Sequence, residues 1–270
     1  MKQQKMVRLV ESGLMLALST VLSMVKVLEL PYGGSITAFS ALPLLLVAYR
    51  YGVKWGLFTA FAHALLQLVL GASVFSTPGL SATGTAAAVV LDYLLAFVVL
   101  GLGGVFRHRC RNQATALMWG AVLTGALRYI CHVISGWAIW APLFDMPASE
   151  ALTYSLAYNA TYMIPETIVT ALGAFYLSRA VDLREQMPTR AKTAPVAPAA
   201  FWVGLAGKAV LLGAAVWSVV EIFAPLQDPE TGDFVVRNLS LVAWPTVGIV
   251  LGVGLVCWLI SDLLRRKLSR

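Results

Sequence analysis

Eight stretches of this chain are apolar enough to require lipid around them: near residues 9–28, 39–50, 53–71, 86–106, 114–140, 151–179, 201–224 and 239–264. A hydrocarbon core of about 30 Å takes roughly 20 apolar residues of helix to cross, and only the second stretch is noticeably short. The chain is 59% hydrophobic and 12% charged, about half the charge of a water-soluble domain. The expected fold class is therefore all-α, a polytopic membrane helix bundle. Residues 1–182 hold six helices, a Pro/Ala/Thr-rich segment at 183–200 reads as a flexible or extended linker, and 201–270 hold two more. Met1 to Arg8 is basic, but the apolar run behind it lacks a convincing small-residue cleavage site, so it reads as a first membrane helix rather than a signal peptide.

The formal net charge of +7 is explained by where the charges fall. Lys2, Lys5, Arg8, Arg50, Lys54, Arg107, Arg109, Arg111, Arg179, Arg184, Arg190, Lys192, Arg265, Arg266, Lys267 and Arg270 lie at one side of an eight-helix arrangement. The opposite loops hold Glu29, Asp145, Glu150, Asp228, Glu230 and Asp233, with Arg237 as their one basic residue. The positive-inside rule then places both termini in the cytoplasm, and the basic charge calls for no nucleic acid. Cys110, Cys131 and Cys257 are far apart and lack metal-ligand spacing, so no metal is expected. No GxxxxGK[ST] phosphate loop occurs, GLAGKA at 204–209 included.

Polar residues inside the apolar runs are costly and should face the bundle interior. Two islands stand out: Asp92-Tyr93, and the stretch from Leu127 to Glu166, which reads as two helices joined by a hairpin. At 1.5 Å per residue, Asp92 should lie ~9 Å and His132 ~12 Å below the outer surface, with Tyr154 and Asn159 at comparable depth on the following helix. Together they outline a pocket between helices, open to the outside. Arg128 and Glu166 lie deeper and opposite one another, as a buried ion pair would, and Pro165 should bend its helix. His63 and Gln67, four apart, share one helix face and serve either packing or the pocket. The loop LELPYGGSITAFSALP contains Gly33-Gly34 and Ser35, and is either a turn or a hinged lid. Ser12-Gly13 and Ala17 form a small-residue face that suits close helix approach, within the bundle or with a partner.

The carboxylate of Asp92 with aromatic faces from Tyr93, Trp137, Trp140, Tyr154 and Tyr158 would attract a cation, although Trp137 and Trp140 would also suit an interfacial belt. His132 and Asn159 would serve the hydrogen-bonding edge of a flat heteroaromatic ring with an exocyclic amine. The residues themselves reach a small, cationic, aromatic solute. No nucleophile or metal set accompanies Asp92 and His132 to support an enzyme, so no catalytic residue is assigned.

Four segments carry a family resemblance: PYGGSIT at 31–37, LDYLLAF at 91–97, LRYICHVISG at 127–136 and YSLAYNATYMIPE at 154–166. Over residues 5–180 the chain resembles the thiamine-specific substrate-binding (S) subunits of energy-coupling factor (ECF) transporters, the ThiT family of bacterial membrane proteins. The resemblance implies a six-helix S-component core with both termini inside and an outward pocket under the first loop. It implies thiamine as ligand, with no cofactor, and as partners a transmembrane coupling protein and two ATP-binding subunits. The family's carboxylate–tyrosine pair falls on Asp92 and Tyr93, where some members have Glu for the shorter Asp. Its pocket His falls on His132, a pocket Trp on Trp140, and the Tyr and Asn of its sixth helix on Tyr154 and Asn159. His63 stands where some members place Trp. The family's contact with the coupling protein matches Gly13 and Ala17. Another vitamin or a thiamine precursor such as a hydroxymethylpyrimidine is the alternative ligand. Residues 201–270 lie outside the resemblance.

Overall fold

The computed structural model describes residues 2–30, 33–144, 146–185, 188–190, 197–226 and 235–268. Pro31, Asp145, Lys192, Asp228, Glu230, Asp233, Arg270 and the linker residues 186–187 and 191–196 lie outside them, as do the side chains of Lys2 and Arg237. The main helices are α1 (Lys2–Met24), α2 (Leu42–Tyr51), α3 (Val53–Leu70), α4 (Ala82–Gly104), α5 (Gln113–Leu143), α6 (Ala148–Ala180), α7 (Pro198–Phe223) and α8 (Trp244–Leu268). Among the described residues, α1, α3, α4, α5, α7 and α8 are long and apolar enough to cross a membrane. The chain is an all-helical, multi-pass membrane protein in its architecture. It divides into two compact units, Met1–Ala191 and Lys192–Arg270.

In the first unit the short helix α2 is the hub. It spans 10 residues, about 15 Å, and is buried from Pro43 to Arg50. It packs against α1, α3, α4, α5 and α6, so it is apolar because protein surrounds it. The core joins Leu45, Leu46 and Tyr49 of α2 to Leu117 and Ala121 of α5 and Ala171 and Ala174 of α6. The run LGLGG at the end of α4 lets backbones meet there: a methyl group on Gly104 would sit 2.1 Å from the Ala48 carbonyl oxygen. Small residues permit this approach where lipid provides no hydrophobic drive between helices.

Several helices outrun their apolar stretches. Ser81 caps α4 by accepting from the Gly84 amide at 3.0 Å, and Asn112 caps α5 by accepting from Ala114 at 2.9 Å; such caps satisfy amides that would otherwise be orphaned. Two helices are locally widened: α4 is π-helical over Val89–Leu95 and α5 over Gly136–Trp140. The longest, α6, has 33 residues and runs without interruption through Pro165.

The first helix ends earlier than its apolar run. Val25 to Leu30 mixes apolar residues with Lys26 and Glu29, whose spacing of three breaks the strict period of two of a strand. β1 (Lys26–Glu29) pairs antiparallel with β2 (Ser35–Thr37) in the α1–α2 loop, and the pairing is irregular between Lys26 and Leu28. Lys26 therefore belongs to this loop, where it forms an ion pair with Glu29, and the α1–α2 loop carries a basic residue that the eight-helix reading placed inside its first apolar run. Past α6, β3 (Val181–Asp182) pairs with β4 (Thr189–Arg190). This hairpin lies within the first unit.

The second unit is an antiparallel pair formed by α7 and α8. Glycines let them approach at Gly207 with Ser261 and at Gly254 with Ala214. Asp262 pairs with Arg265 and Arg266 one turn on, at 2.6 and 2.7 Å.

Candidate binding site

The widened turns of α4 and α5 face each other and bring three donors to one carboxylate. Ser135 Oγ and Trp140 Nε1 donate to Asp92 Oδ2 at 2.6 and 2.9 Å. His132 Nδ1 lies 2.9 Å from Asp92 Oδ1. Because a carboxylate only accepts, this contact requires hydrogen on Nδ1, leaving Nε2 of a neutral imidazole as an acceptor. The side chains of Asp92 and His132 are 16% and 15% exposed, so the carboxylate has given up most of its hydration and is held by these donors instead.

Helix α6 adds a second layer. Asn159 Nδ2 donates to the Ser155 carbonyl at 2.8 Å and to the His132 carbonyl at 3.3 Å, while Tyr162 OH donates to Asn159 Oδ1 at 2.5 Å. Ser155 Oγ donates to the Val133 carbonyl at 2.8 Å. Asn159 thus clamps α6 onto the turn of α5 that carries His132. An aromatic column climbs α6 from there. Tyr162 lies edge-on to Tyr158 at 5.7 Å, and Tyr158 stacks on Tyr154 at 5.9 Å.

The α1–α2 loop meets this column. The Gly34 amide donates to Tyr158 OH at 2.9 Å. A methyl group at Gly34 would fall 2.7 Å from that hydroxyl and 2.9 Å from the Tyr162 ring. Gly33 has φ +90°, a backbone that favours glycine for a different reason. Ser35 follows as the first residue of β2. Further along, Thr37 Oγ1 and Ser40 Oγ donate to Glu166 Oε1 at 2.9 and 3.4 Å, and Arg128 Nη1 lies 3.5 Å from the same oxygen. Between them, Phe39 takes φ +63°, a strained conformation for a bulky side chain.

Asp92, His132, Trp140 and Asn159 are therefore brought together. At 1.5 Å per residue, Asp92 is about 15 Å from Ala82, His132 about 16 Å from Leu143, and Asn159 about 16 Å from Ala148. They share one level, deeper than expected because each helix extends past its apolar run. Tyr154 is not at that level but higher, over Tyr158. Tyr93 turns away from Asp92, donating to the Gly71 carbonyl at 3.1 Å and packing with Val74, Ala88 and Ile139. Trp137 is 48% exposed. His63 and Gln67 hydrogen-bond to each other and to α1: Gln67 Nε2 donates to Ser23 Oγ at 2.7 Å, and His63 Nδ1 lies 3.4 Å from Thr20 Oγ1. Gly13 and Ala17 are exposed on α1, while Ser12 and Ser19 on its opposite face hydrogen-bond into the bundle.

Sequence reading missed Ser135, Ser155 and Tyr162 as members of the site. Each carried a signal: Ser135 and Tyr162 lie three residues beyond His132 and Asn159, and Ser155 four before Asn159, spacings that share a helix face. Thr37 and Ser40 had no such signal, because their partner Glu166 lies far along the chain.

The four segments at 31–37, 91–97, 127–136 and 154–166 that build this arrangement fall within residues 9–183, which match the profile of the thiamine transporter protein (Thia_YuaJ) family. Thiamine transporter ThiT of Bacillus subtilis (strain 168) is 35% identical over 182 residues, covering 63% of this chain and 90% of that protein. A solved structure of ThiT from Listeria monocytogenes matches with a TM-score of 0.52 at 21% identity, over 64% of this chain and 94% of that chain, a likeness of fold. These relatives are transporters, which sets the enzyme reading aside. With its loop, its carboxylate and its sixth-helix clamp all inside the matched region, the chain belongs to the thiamine transporter protein family.

Proposed function

We propose that this protein takes up thiamine as the S subunit of an ECF-type transporter in a bacterial cell membrane. Thiamine would enter from the outside and bind at the level of Asp92, beneath the α1–α2 loop. The observation that carries this reading is the Asp92 carboxylate, held by His132, Ser135 and Trp140 well inside the helices. An anion kept there in a low-dielectric setting is suited to a cationic thiazolium. Nε2 of His132 is suited to accept from the exocyclic amine of the aminopyrimidine. Tyr154 and Tyr158 supply ring faces above, Tyr162 one beside His132, and Trp137 and Tyr93 frame the site rather than touch its carboxylate. His63 and Gln67 act in this reading by holding α1 against α3.

The loop containing Gly33, Gly34 and Ser35 closes over the ligand, with Tyr158 OH and Glu166 as its catches. The bundle lies with its basic end, and both termini, in the cytoplasm. The sequence has no phosphate loop, so energy comes from two ATP-binding subunits through a coupling protein. The exposed Gly13–Ala17 face of α1 is the docking surface offered to it.

The test is a titration of intrinsic tryptophan fluorescence with thiamine, its phosphate esters and its two half-molecules. Thiamine should quench strongly, because the Trp140 indole is bonded to the carboxylate that meets the ligand. Equal affinity for the hydroxymethylpyrimidine half alone would replace thiamine with a precursor as the ligand, and turnover of any bound compound would restore an enzyme.

A further inference from the structure

At the far end of α1 from the loop, the first unit contains a cavity of about 640 Å³. Its wall includes Lys5, Arg8, Arg50, Arg107, Arg184 and Glu185. Glu11 lies behind the wall but is already committed: Arg50 Nη2 donates to its Oε2 at 3.1 Å and Tyr51 OH donates to the same oxygen at 2.6 Å. Arg50 also donates to the Leu183 and Glu185 carbonyls.

Among the described residues, Arg107, Arg184 and Arg8 meet neutral groups. Arg107 Nη1 donates to the Arg50 carbonyl at 2.7 Å, and Arg184 Nη2 to the Arg111 carbonyl at 3.1 Å. Arg8 lies over the Trp55 ring at 4.0 Å, and its buried Nε has no hydrogen-bond partner. Among the described residues, no carboxylate lies within ion-pair distance of Lys5, Arg8, Arg107 or Arg184. With Arg50 offset by Glu11, the cations of Lys5, Arg8, Arg107 and Arg184 outnumber the one remaining acidic residue of the wall, Glu185, and such an excess is unfavourable unless an anion is bound there. Guanidinium forks suit the oxygens of a phosphate in particular.

The surface beside the cavity narrows the source of that phosphate. Met6, Leu9 and Val10, next to Lys5 and Arg8 on α1, are 63%, 57% and 55% exposed. An amphiphile could place its headgroup among the cations and its acyl chains along this apolar face, whereas a free ion would use only the first. We propose that this cavity binds the phosphate headgroup of an anionic phospholipid. The site is separate from the Asp92 cluster, and it stands whether or not thiamine is the transported solute.

The test uses the full chain, purified and delipidated, with lipid retention read by native mass spectrometry. Phosphatidylglycerol, phosphatidylcholine and inorganic phosphate are offered in turn to the wild type, to Lys5→Gln with Arg184→Gln, and to Lys5→Arg with Arg184→Lys. Phosphatidylglycerol should be retained in preference to phosphatidylcholine, and each neutralised cation should weaken it about fivefold. The charge-keeping pair should bind as wild type, and thiamine titration should be the same in all three proteins, showing that the fold is intact. Equal retention of the two lipids would overturn the proposal, as would phosphatidylglycerol binding indifferent to the neutralising pair. Saturable binding of inorganic phosphate without any lipid preference would also overturn it, by assigning the site to a free anion.

Discussion

The backbone amide of Gly34 donates to the hydroxyl of Tyr158 at 2.9 Å, so the loop after the first helix is bonded directly to the sixth. Tyr158 belongs to the column that ends on Asn159 and His132. A displacement of this loop would therefore pull on the column that reaches Asn159 and His132.

Gly34→Ala tests that link. Its methyl group would overlap the Tyr158 hydroxyl and the Tyr162 ring, and relieving such overpacking costs about 1–3 kcal/mol. Thiamine should bind more weakly and leave faster in stopped-flow fluorescence. Tyr158→Phe removes only the acceptor and should cost about 0.5–1.5 kcal/mol. Dissociation as slow as wild type in Gly34→Ala would show that the loop does not hold the ligand.

Asp92→Asn removes the charge while keeping the shape, and turns an amide group toward donors that need acceptors. Asn159→Ala removes the clamp that holds the backbone of His132. Each should weaken thiamine binding by about 1–3 kcal/mol, the cost of leaving a buried polar partner unpaired. Ser135→Ala should follow with about 0.5–1.5 kcal/mol. Wild-type affinity in both Asp92→Asn and Asn159→Ala, by the same titration, would move the site elsewhere.

The pair Arg128–Glu166 is a matter of stability more than affinity. Removing one partner of a buried ion pair typically costs 3–5 kcal/mol, because the other charge is stranded, whereas replacing both with apolar groups is often neutral. Glu166→Leu should therefore lower the unfolding midpoint in detergent sharply, and adding Arg128→Met should recover much of it. A double variant no more stable than the single one would mean that the loop bonds from Thr37 and Ser40, not the ion pair, make Glu166 important.

The family match ends at residue 183 and the first compact unit at Ala191. A chain ending at Ala191 should fold in detergent and titrate with thiamine at unchanged affinity. Loss of binding in a folded truncation would give α7 and α8 a part in the site.

How far the sequence could be read differs from residue to residue. The helices were legible because crossing lipid demands long apolar runs, yet their ends were not. Val25 to Leu30 continues the apolar run, and Lys26 and Glu29, three residues apart, give no strict alternation that would mark a strand. The cap at Ser81 carried α4, and the turn to Leu143 carried α5, outward beyond their apolar residues. His63 and Gln67 shared a face by spacing, but spacing does not say what that face meets; it meets Thr20 and Ser23 of α1. Tyr93, adjacent to Asp92, was grouped with it by adjacency, whereas neighbouring residues on a helix diverge.

By itself, the sequence determined that this chain is a membrane helix bundle with a basic end, and that its interior holds a carboxylate, an imidazole and an amide no lipid would accept. Those facts follow from local composition and the price of burying polar groups. Tertiary structure alone decided that Ser135 and Trp140 share one oxygen of Asp92, that Asn159 grips the His132 backbone, and that Thr37 and Ser40 reach Glu166. Each of these depends on where widened turns and distant loops come to rest against one another, which packing sets and residue spacing does not encode.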